Sequence, residues 1–136
     1  MVSVARRGWM VLGVLLLALA AVGRAAGDGP AKKRKGGEKE PTEEQLRAAE
    51  AIGNGHSYQK HVVDGKEFPK VKTREEFIKE IARVLANPSD SKKLTRGREA
   101  FYDEKANVLV IIDPRSKDEG TCFRPSAGKK YYDNLR

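Results

Sequence analysis

Apolar residues recur with helical spacing in the first part of the sequence that can fold. Thr42 and Thr73 each precede a Gln or Glu by three positions, which is the capping-box signature of a helix start. The apolar residues that follow predict a short helix over 42–53 and a longer amphipathic helix over 73–88, stopped by an Asn-Pro pair. Between them, residues 56–63 predict another short helix, closed by Asp-Gly. This half of the domain is therefore predicted to be helical.

Beyond position 89 the pattern changes to a period of two, which is typical of strands. Residues 98–103 alternate, 104–107 predict a turn, and 108–112 are a continuous apolar run expected of a central strand. Further short strands are predicted at 121–124 and at 131–135. Helices followed by antiparallel strands indicate an α+β domain, in which N-terminal helices pack on one face of a small antiparallel β-sheet.

The N-terminal segment has the pattern of a secretory signal peptide. Two arginines precede an uncharged apolar run over 8–22, and small residues follow it. The run is about fifteen residues long, which is shorter than the roughly twenty that a spanning helix needs. We predict a cleaved signal at 1–26, a secreted or periplasmic location, and no stable membrane insertion after cleavage. An uncleaved N-terminal anchor is the alternative.

Charge divides the rest of the chain unevenly. Residues 27–41 are mostly Gly, Pro, Lys, Arg and Glu, which predicts a flexible linker. Residues 42–136 are long enough for one modest hydrophobic core. They contain 19 basic and 16 acidic residues, so most of the formal net charge of +8 lies before them. From Lys92 onward there are 11 basic and 7 acidic residues, so a polyanion is expected to bind this half of the domain.

Several kinds of site have no support in the sequence. Cys122 is the only cysteine, so neither an internal disulfide framework nor a multi-thiolate zinc site can form. No His-x-x-x-His pair or carboxylate cluster indicates a metal centre, and Ser57 does not lie in a nucleophile elbow. We therefore predict a site without metal or cofactor.

Both histidines of the chain, His56 and His61, lie in one predicted helix with Lys60 between them. A spacing of five places side chains about 140° apart on an α-helix. They can share one pocket if His56 sits at the helix start, where the preceding Gly-Asn-Gly frees the backbone. Imidazole accepts and donates protons near neutral pH, as attack of a ribose 2′-hydroxyl on the adjacent phosphate requires. The alternative is that one histidine caps the helix and the other packs in the core.

Other candidate groups lie at the ends of predicted strands. Arg96 and Arg98 flank a glycine before the first long strand, and Thr121 and Arg124 lie in the third. Arginine binds phosphate bidentately, and a hydroxyl that follows a glycine can approach a phosphate oxygen closely. Tyr131 can stack on a base. Solvated turn arginines and a tyrosine packed in the core are the alternatives.

An ordered series of short motifs over about residues 50–136 resembles a known family. The motifs are Gly55-His56-x-x-x-Lys60-His61-Val62, Glu67-Phe68, the 73–88 helix, Gly97-Arg98-x-x-Phe101-Tyr102-Asp103, Val110-Ile111-x-Asp113-Pro114, Asp118-x-Gly120-Thr121-x-Phe123-Arg124-Pro125 and Gly128-x-x-Tyr131. Together they are similar to the C-terminal toxin domains of bacterial polymorphic and contact-dependent growth inhibition systems. Those domains belong to the broad group of RNases related to barnase, EndoU, the colicin nucleases and RelE.

The resemblance implies a metal-independent endoribonuclease of the α+β fold of that group. It implies a 2′,3′-cyclic phosphate product, with tRNA as one candidate RNA substrate. The residues implied for catalysis are His56 and His61 as base and acid, Lys60, Arg98 and Arg124 on the phosphate, and Thr121 as a hydroxyl contact. Contacts to the rest of the RNA are predicted for Arg96, Tyr102, Lys129 and Tyr131. A toxin of this kind also implies a cognate immunity protein, and the basic second half predicts that it is acidic.

One departure from the family leaves the substrate open. Such domains usually end very large secreted proteins, whereas here the domain is expected to follow its own signal peptide and a short linker.

The alternative function is a secreted, non-enzymatic module that binds an anionic partner through the basic second half. The two functions differ in one respect: an enzyme loses activity when either histidine is replaced by alanine, and a binding module loses affinity mainly with charge.

Overall fold

The two longest helices begin at the two capping boxes. In the computed structural model, which describes residues 37–136, α1 spans Glu43–Asn54 and α2 spans Arg74–Ala86. Thr42 Oγ1 accepts the backbone N–H of Gln45 at 3.3 Å, and the Gln45 side chain accepts the Thr42 N–H at 2.9 Å; α2 has the same reciprocal pair.

No helix in this part of the chain is long and apolar enough to cross a membrane. The predicted signal peptide and most of the predicted linker lie outside the described residues.

The short helix predicted between α1 and α2 is a π-helix over Tyr58–Asp64. Gly55 separates it from α1, and two α-helical residues lead into it. At its end the Gly65 N–H donates to the carbonyl of Lys60 at 3.0 Å, five residues earlier, which is the π-helical pattern. π-Helical turns are rare in proteins overall, but those that occur often lie at functional sites.

Four antiparallel strands form one sheet. They are β1 (Asp90–Lys93), β2 (Glu99–Asp103), β3 (Val108–Ile112) and β4 (Gly120–Phe123), hydrogen-bonded in that order. The predictions for β2, β3 and β4 are confirmed to within a residue. The α+β fold is confirmed as well.

The two faces of the sheet build two separate cores. Val108 and Val110 of β3 and Cys122 of β4 pack against α1 and α2. Leu109 and Ile111 of β3 lie on the opposite face, because successive side chains of a strand alternate. Since β3 buries both of its faces, its sequence is continuously apolar, as predicted for a central strand.

The prediction of a strand at 131–135 is wrong. That segment belongs to a helix, α3 (Lys129–Asn134), which begins after Gly128 at φ 56. It packs Tyr132 on Tyr102, with 5.4 Å between the ring centroids, and so covers the sheet face opposite α1 and α2. The fourth strand is β1. Its sequence, Asp-Ser-Lys-Lys, lacks apolar alternation because it is an edge strand with alternate side chains exposed.

An ion cluster ties α2 to β2. Arg83 donates to Asp103 Oδ2 at 2.6 Å and to the two carboxylate oxygens of Glu80 at 2.7 and 3.0 Å. Burial opposes ionisation of Asp103. The hydrogen bonds from Arg83 and from the Ala106 N–H outweigh that effect and hold the pKa of Asp103 below its ordinary value.

We expect the protein to lose stability in acid partly through Asp103. Because its pKa is lower in the folded than in the unfolded chain, ionised Asp103 stabilises the fold above the ordinary carboxyl pKa. That contribution is lost as the pH falls through the folded-state value. The urea midpoint of the full chain should fall between about pH 6 and about pH 3, and it should fall less in Asp103→Asn, which has no charge to lose. An equal fall in both proteins would contradict this role.

Candidate active site

An open cavity of about 440 Å³ lies at the β4 edge of the sheet, on the face that α3 covers. Its walls come from the π-helix and the turn before it, from β3 and β4 and the loop between them, from the start of β2, and from α3. Six of the ten predicted site residues line it: His56, Lys60, His61, Arg98, Thr121 and Tyr131. The fold therefore brings together, in one place, residues from four separate elements.

Both histidines reach this cavity because of the backbone around Gly55. A Cβ at Gly55 would lie 2.5 Å from the Cβ of Asp118, so glycine is required for the β3–β4 loop to approach this closely. His56 follows as the first helical residue, as the sequence predicted. His61 lies in the π-helix, whose wider turn makes its direction relative to His56 differ from that in a continuous α-helix. The two imidazoles consequently line one cavity.

His56 is held by a carboxylate from the β3–β4 loop. Asp118 Oδ2 lies 2.6 Å from His56 Nδ1 and accepts the His56 backbone N–H at 3.1 Å. These hydrogen bonds, that of the ring first, hold the pKa of Asp118 below its ordinary value, so the carboxyl is ionised at neutral pH. Because a carboxylate can only accept, Nδ1 carries the proton, and Nε2 is the nitrogen left for a substrate.

His61 has the same arrangement in a more buried position. Its Nδ1 lies 2.8 Å from Glu67 Oε1, and its side chain is 11% exposed, against 54% for His56. The ring stacks on Phe123 of β4, with 5.5 Å between centroids. Glu67 is fixed in turn, since its other carboxylate oxygen accepts the backbone N–H of Arg124 at 2.8 Å. His61 is thus oriented by both a carboxylate and an aromatic ring.

Two cations add positive charge to the cavity. The side chain of Lys60, on the π-helix, has no hydrogen-bond or ion-pair partner among residues 37–136. Arg98 is held just before β2, where its Nε donates to the Thr95 carbonyl at 3.2 Å and its Nη2 donates to the Arg136 carbonyl at 2.9 Å. These bonds orient the guanidinium and leave its Nη1 free to bind an anion.

A hydroxyl and an aromatic wall complete the cavity. Thr121 Oγ1 accepts a hydrogen bond from the fully buried Ser57 at 3.1 Å, which leaves the Thr121 proton for a ligand. Tyr131 is 42% exposed and meets Phe123 edge-on, with 5.5 Å between centroids. The hydroxyl lies on β4 beside the π-helix, and the rings lie towards α3.

Arg124 lies on the wrong side of its strand to contact a ligand in the cavity. Thr121 and Phe123 line the cavity, and alternation directs Arg124 to the other side of the sheet. There its Nη1 donates to the Glu67 carbonyl at 3.1 Å. Its contact with the site is indirect, because its backbone N–H holds the carboxylate that orients His61.

Three further predicted residues also lie outside the cavity. Tyr102 is buried beneath the ring of Tyr132. Lys129 forms an ion pair with Asp133 at 2.6 Å, because both lie on one face of α3 at a spacing of four. Arg96 lines a neighbouring groove instead. None of the three side chains is placed to contact a ligand held between the histidines.

The sequence assigned no role to the two carboxylates that orient the histidines, Glu67 and Asp118, although both belong to the quoted motifs. Asp118 is 62 residues from His56, so no local spacing relates them. Glu67 follows His61 by six residues, and the available signals were this short spacing and the presence of both carboxylates in the motifs.

Cys122 and the acidic residues do not form a second reactive centre. Burial raises the pKa of the Cys122 thiol, which packs in the core. Among residues 37–136, no group of three or more His, Cys, Asp or Glu side chains is arranged to hold a metal ion.

The sequence matches no model of a known protein family and no curated protein. The geometry of the cavity and the sequence motifs are therefore the features that indicate a function.

Proposed function

We propose that the protein is an endoribonuclease that cleaves RNA without a metal ion, by attack of a ribose 2′-hydroxyl on the adjacent phosphate. The observation that carries the proposal is the pair of imidazoles in one cavity, each held at Nδ1 by a carboxylate. Two Nε2 atoms are thereby available to one bound phosphodiester. This is the set of groups that general acid–base cleavage of RNA needs.

The reaction uses one imidazole as base and the other as acid. One Nε2 accepts the proton of the 2′-hydroxyl as its oxygen forms a bond to phosphorus. The bond from phosphorus to the 5′-oxygen breaks, and the second imidazole, protonated, donates its Nε2 proton to that leaving oxygen. The products are a 2′,3′-cyclic phosphate and a 5′-hydroxyl. Asp118 and Glu67 fix the two rings and stabilise whichever is cationic.

The cations stabilise the charge that develops on the phosphate. Lys60 and Arg98 line the cavity with donors that are not used in the folded protein. Arg98 is already fixed by its hydrogen bonds, so it stabilises a developing charge with little reorganisation, and Lys60 adds a second positive charge. The Thr121 hydroxyl donates to a phosphate oxygen, and Tyr131 stacks on a neighbouring base.

The motif resemblance extends this proposal to a biological setting. It supports a secreted bacterial toxin that acts on RNA, with tRNA as a candidate substrate. In that setting a cognate immunity protein, acidic in charge, covers the basic cleft. The positive charges of Lys60 and Arg98 at the cavity are the feature that such a protein would neutralise.

We expect the full chain to cleave total bacterial RNA into discrete fragments in the presence of EDTA. Two imidazoles and two cations supply proton transfer and charge stabilisation, so chelation should leave the rate unchanged within about twofold. Gel electrophoresis measures the cleavage, and acid treatment of the 3′ ends, which opens a cyclic phosphate to a monophosphate, tests the product. Loss of cleavage in EDTA that a divalent ion restores would contradict the mechanism.

A non-enzymatic module that binds an anionic partner is the second candidate. The observation in its favour is that several exposed cations, among them Arg96 and Arg115, have no partner in residues 37–136. Such a module would hold RNA without cutting it, and replacing the histidines would leave its affinity unchanged. Intact RNA after incubation with the full chain would favour it.

A further inference from the structure

A second groove of about 390 Å³ adjoins the cavity that contains the histidines. It is lined by Thr95, Arg96, Arg98, Asp113 and Arg115, and Arg98 and Asp113 also line the first cavity. Three guanidinium groups thus face one carboxylate. A ligand that leaves the first cavity past Arg98 enters a groove with an excess of positive charge.

The free arginines of this groove are held out to solvent. Arg96 and Arg115 are exposed, and neither side chain forms a hydrogen bond or ion pair within residues 37–136. Arg115 lies in the β3–β4 loop, where its backbone N–H donates to Asp113 Oδ1 at 3.0 Å. That bond holds in place the only carboxylate of the groove lining, and its single negative charge is outnumbered by the three guanidinium groups.

The backbone at Arg96 is unusual for its residue type. Arg96 has φ 64 and ψ 27, in the left-handed region that side chains other than Gly, Asn and Asp rarely adopt. The next residue, Gly97, has φ 74. A glycine would fit position 96 with less strain, so the presence of arginine there is not explained by the fold. Strained positions that fold stability does not explain are concentrated at functional sites.

We propose that this groove is a binding subsite for the phosphate backbone of an RNA strand that extends beyond the cleaved bond. The proposal rests on the proposed function, because it takes the first cavity as the place of cleavage. Arg98 contacts the reacting phosphate, and Arg96 and Arg115 contact phosphates further along the same strand. The preferred substrate is therefore an RNA several nucleotides long and not a dinucleotide, and binding depends on salt.

The test measures binding without cleavage. The probe is a fluorescein-labelled 2′-O-methyl oligoribonucleotide of mixed sequence, which lacks the attacking hydroxyl, and its Kd for the full chain is measured by anisotropy over a range of salt. The double variant Arg96→Gln with Arg115→Gln should raise Kd about tenfold. It should also lower the slope of log Kd against log salt by about 1.4, because each phosphate contact to a single strand contributes about 0.7 to that slope.

The matched control removes the same charge elsewhere. Arg47 and Lys105 are exposed and lie outside both cavities, so Arg47→Gln with Lys105→Gln should change Kd by less than about twofold. A third variant, Arg96→Gly, should weaken binding while its thermal midpoint stays equal to or above that of the parent. Equal Kd values and slopes for the groove pair and the control pair overturn the proposal.

The same proteins separate this inference from the proposed function. If RNA is cleaved but the groove pair binds the probe as the control pair does, the groove is not a subsite and the RNase proposal stands. If the groove pair weakens binding but the parent never cleaves RNA, the groove binds a nucleic-acid backbone and the RNase proposal fails.

Discussion

Replacement of His61 by alanine should lower the rate of RNA cleavage by about a thousandfold, because one of the two proton-transfer groups is lost. His61 is the more constrained of the two imidazoles, since it is stacked on Phe123 and bonded at Nδ1 to Glu67. Its position is therefore set before the substrate binds. Initial rates on total bacterial RNA, with the full chain and the variant at equal concentration, measure the effect.

Two further variants separate catalysis from folding. Glu67→Gln keeps the imidazole and removes the carboxylate charge, so it should cost about a hundredfold. Gln59→Ala changes an exposed residue of the same π-helix that does not line the cavity, and it should cleave RNA at the parental rate. Circular dichroism and the urea midpoint check that each protein is folded. Parental cleavage rates in a folded His61→Ala protein would refute the assignment.

Gly120→Ala should lower the free energy of unfolding by more than about 3 kcal/mol, the range reserved for a few severe mechanisms. Gly120 opens β4 opposite Ile112 and has φ 146. A Cβ there would lie 2.0 Å from the carbonyl oxygen of Ile111, so the two strands would have to separate where they pair. The following residue is Thr121, which lines the cavity, so the strand shift should also lower cleavage.

Gly97→Ala is the matched control for that substitution. Gly97 also has a positive φ, of 74, but no atom lies within 4 Å of an added Cβ. Conformational strain alone should therefore cost about 1 kcal/mol. Urea unfolding of the two variants measures the difference. Similar losses in both would show that close strand approach does not determine the effect at Gly120.

Local sequence predicted α1 and α2 well because each of these two helices carries its own start signal. The capping boxes at Thr42 and Thr73 use groups three residues apart, so no distant contact is needed to read them. The central strand was readable for a similar reason, since burial on both faces leaves a continuous apolar run. The edge strand β1 could not be predicted from the sequence, because only its pairing with β2 makes Asp-Ser-Lys-Lys a strand.

The segment from Lys129 onward shows the opposite error. The sequence predicted a strand at 131–135, yet α3 forms there, with Tyr132 packed on Tyr102 and Tyr131 lining the cavity. The intrinsic preference of tyrosine for helix or strand is weak, and tertiary contacts override it. The segment forms a helix because its packing buries the sheet face opposite α1 and α2.

For the candidate site, the sequence by itself determined which groups are close along the chain. His56, Lys60 and His61 were readable as one cluster because they share a helix, and Arg98 and Thr121 were readable as possible phosphate contacts from their residue types. What only the tertiary structure decided is which side of each strand faces the cluster. Strand alternation places Thr121 in the cavity and Arg124 behind it.

The tertiary structure also decided which carboxylate orients each histidine. Asp118 reaches His56 across 62 residues because the β3–β4 loop passes over Gly55. Hydrogen bonds of this kind depend on distances in space, and sequence spacing reports such distances only within one helix or strand. The sequence thus determined the residue types of the site and most of its elements, α3 excepted, whereas the packing of the β3–β4 loop and of α3 determined its geometry.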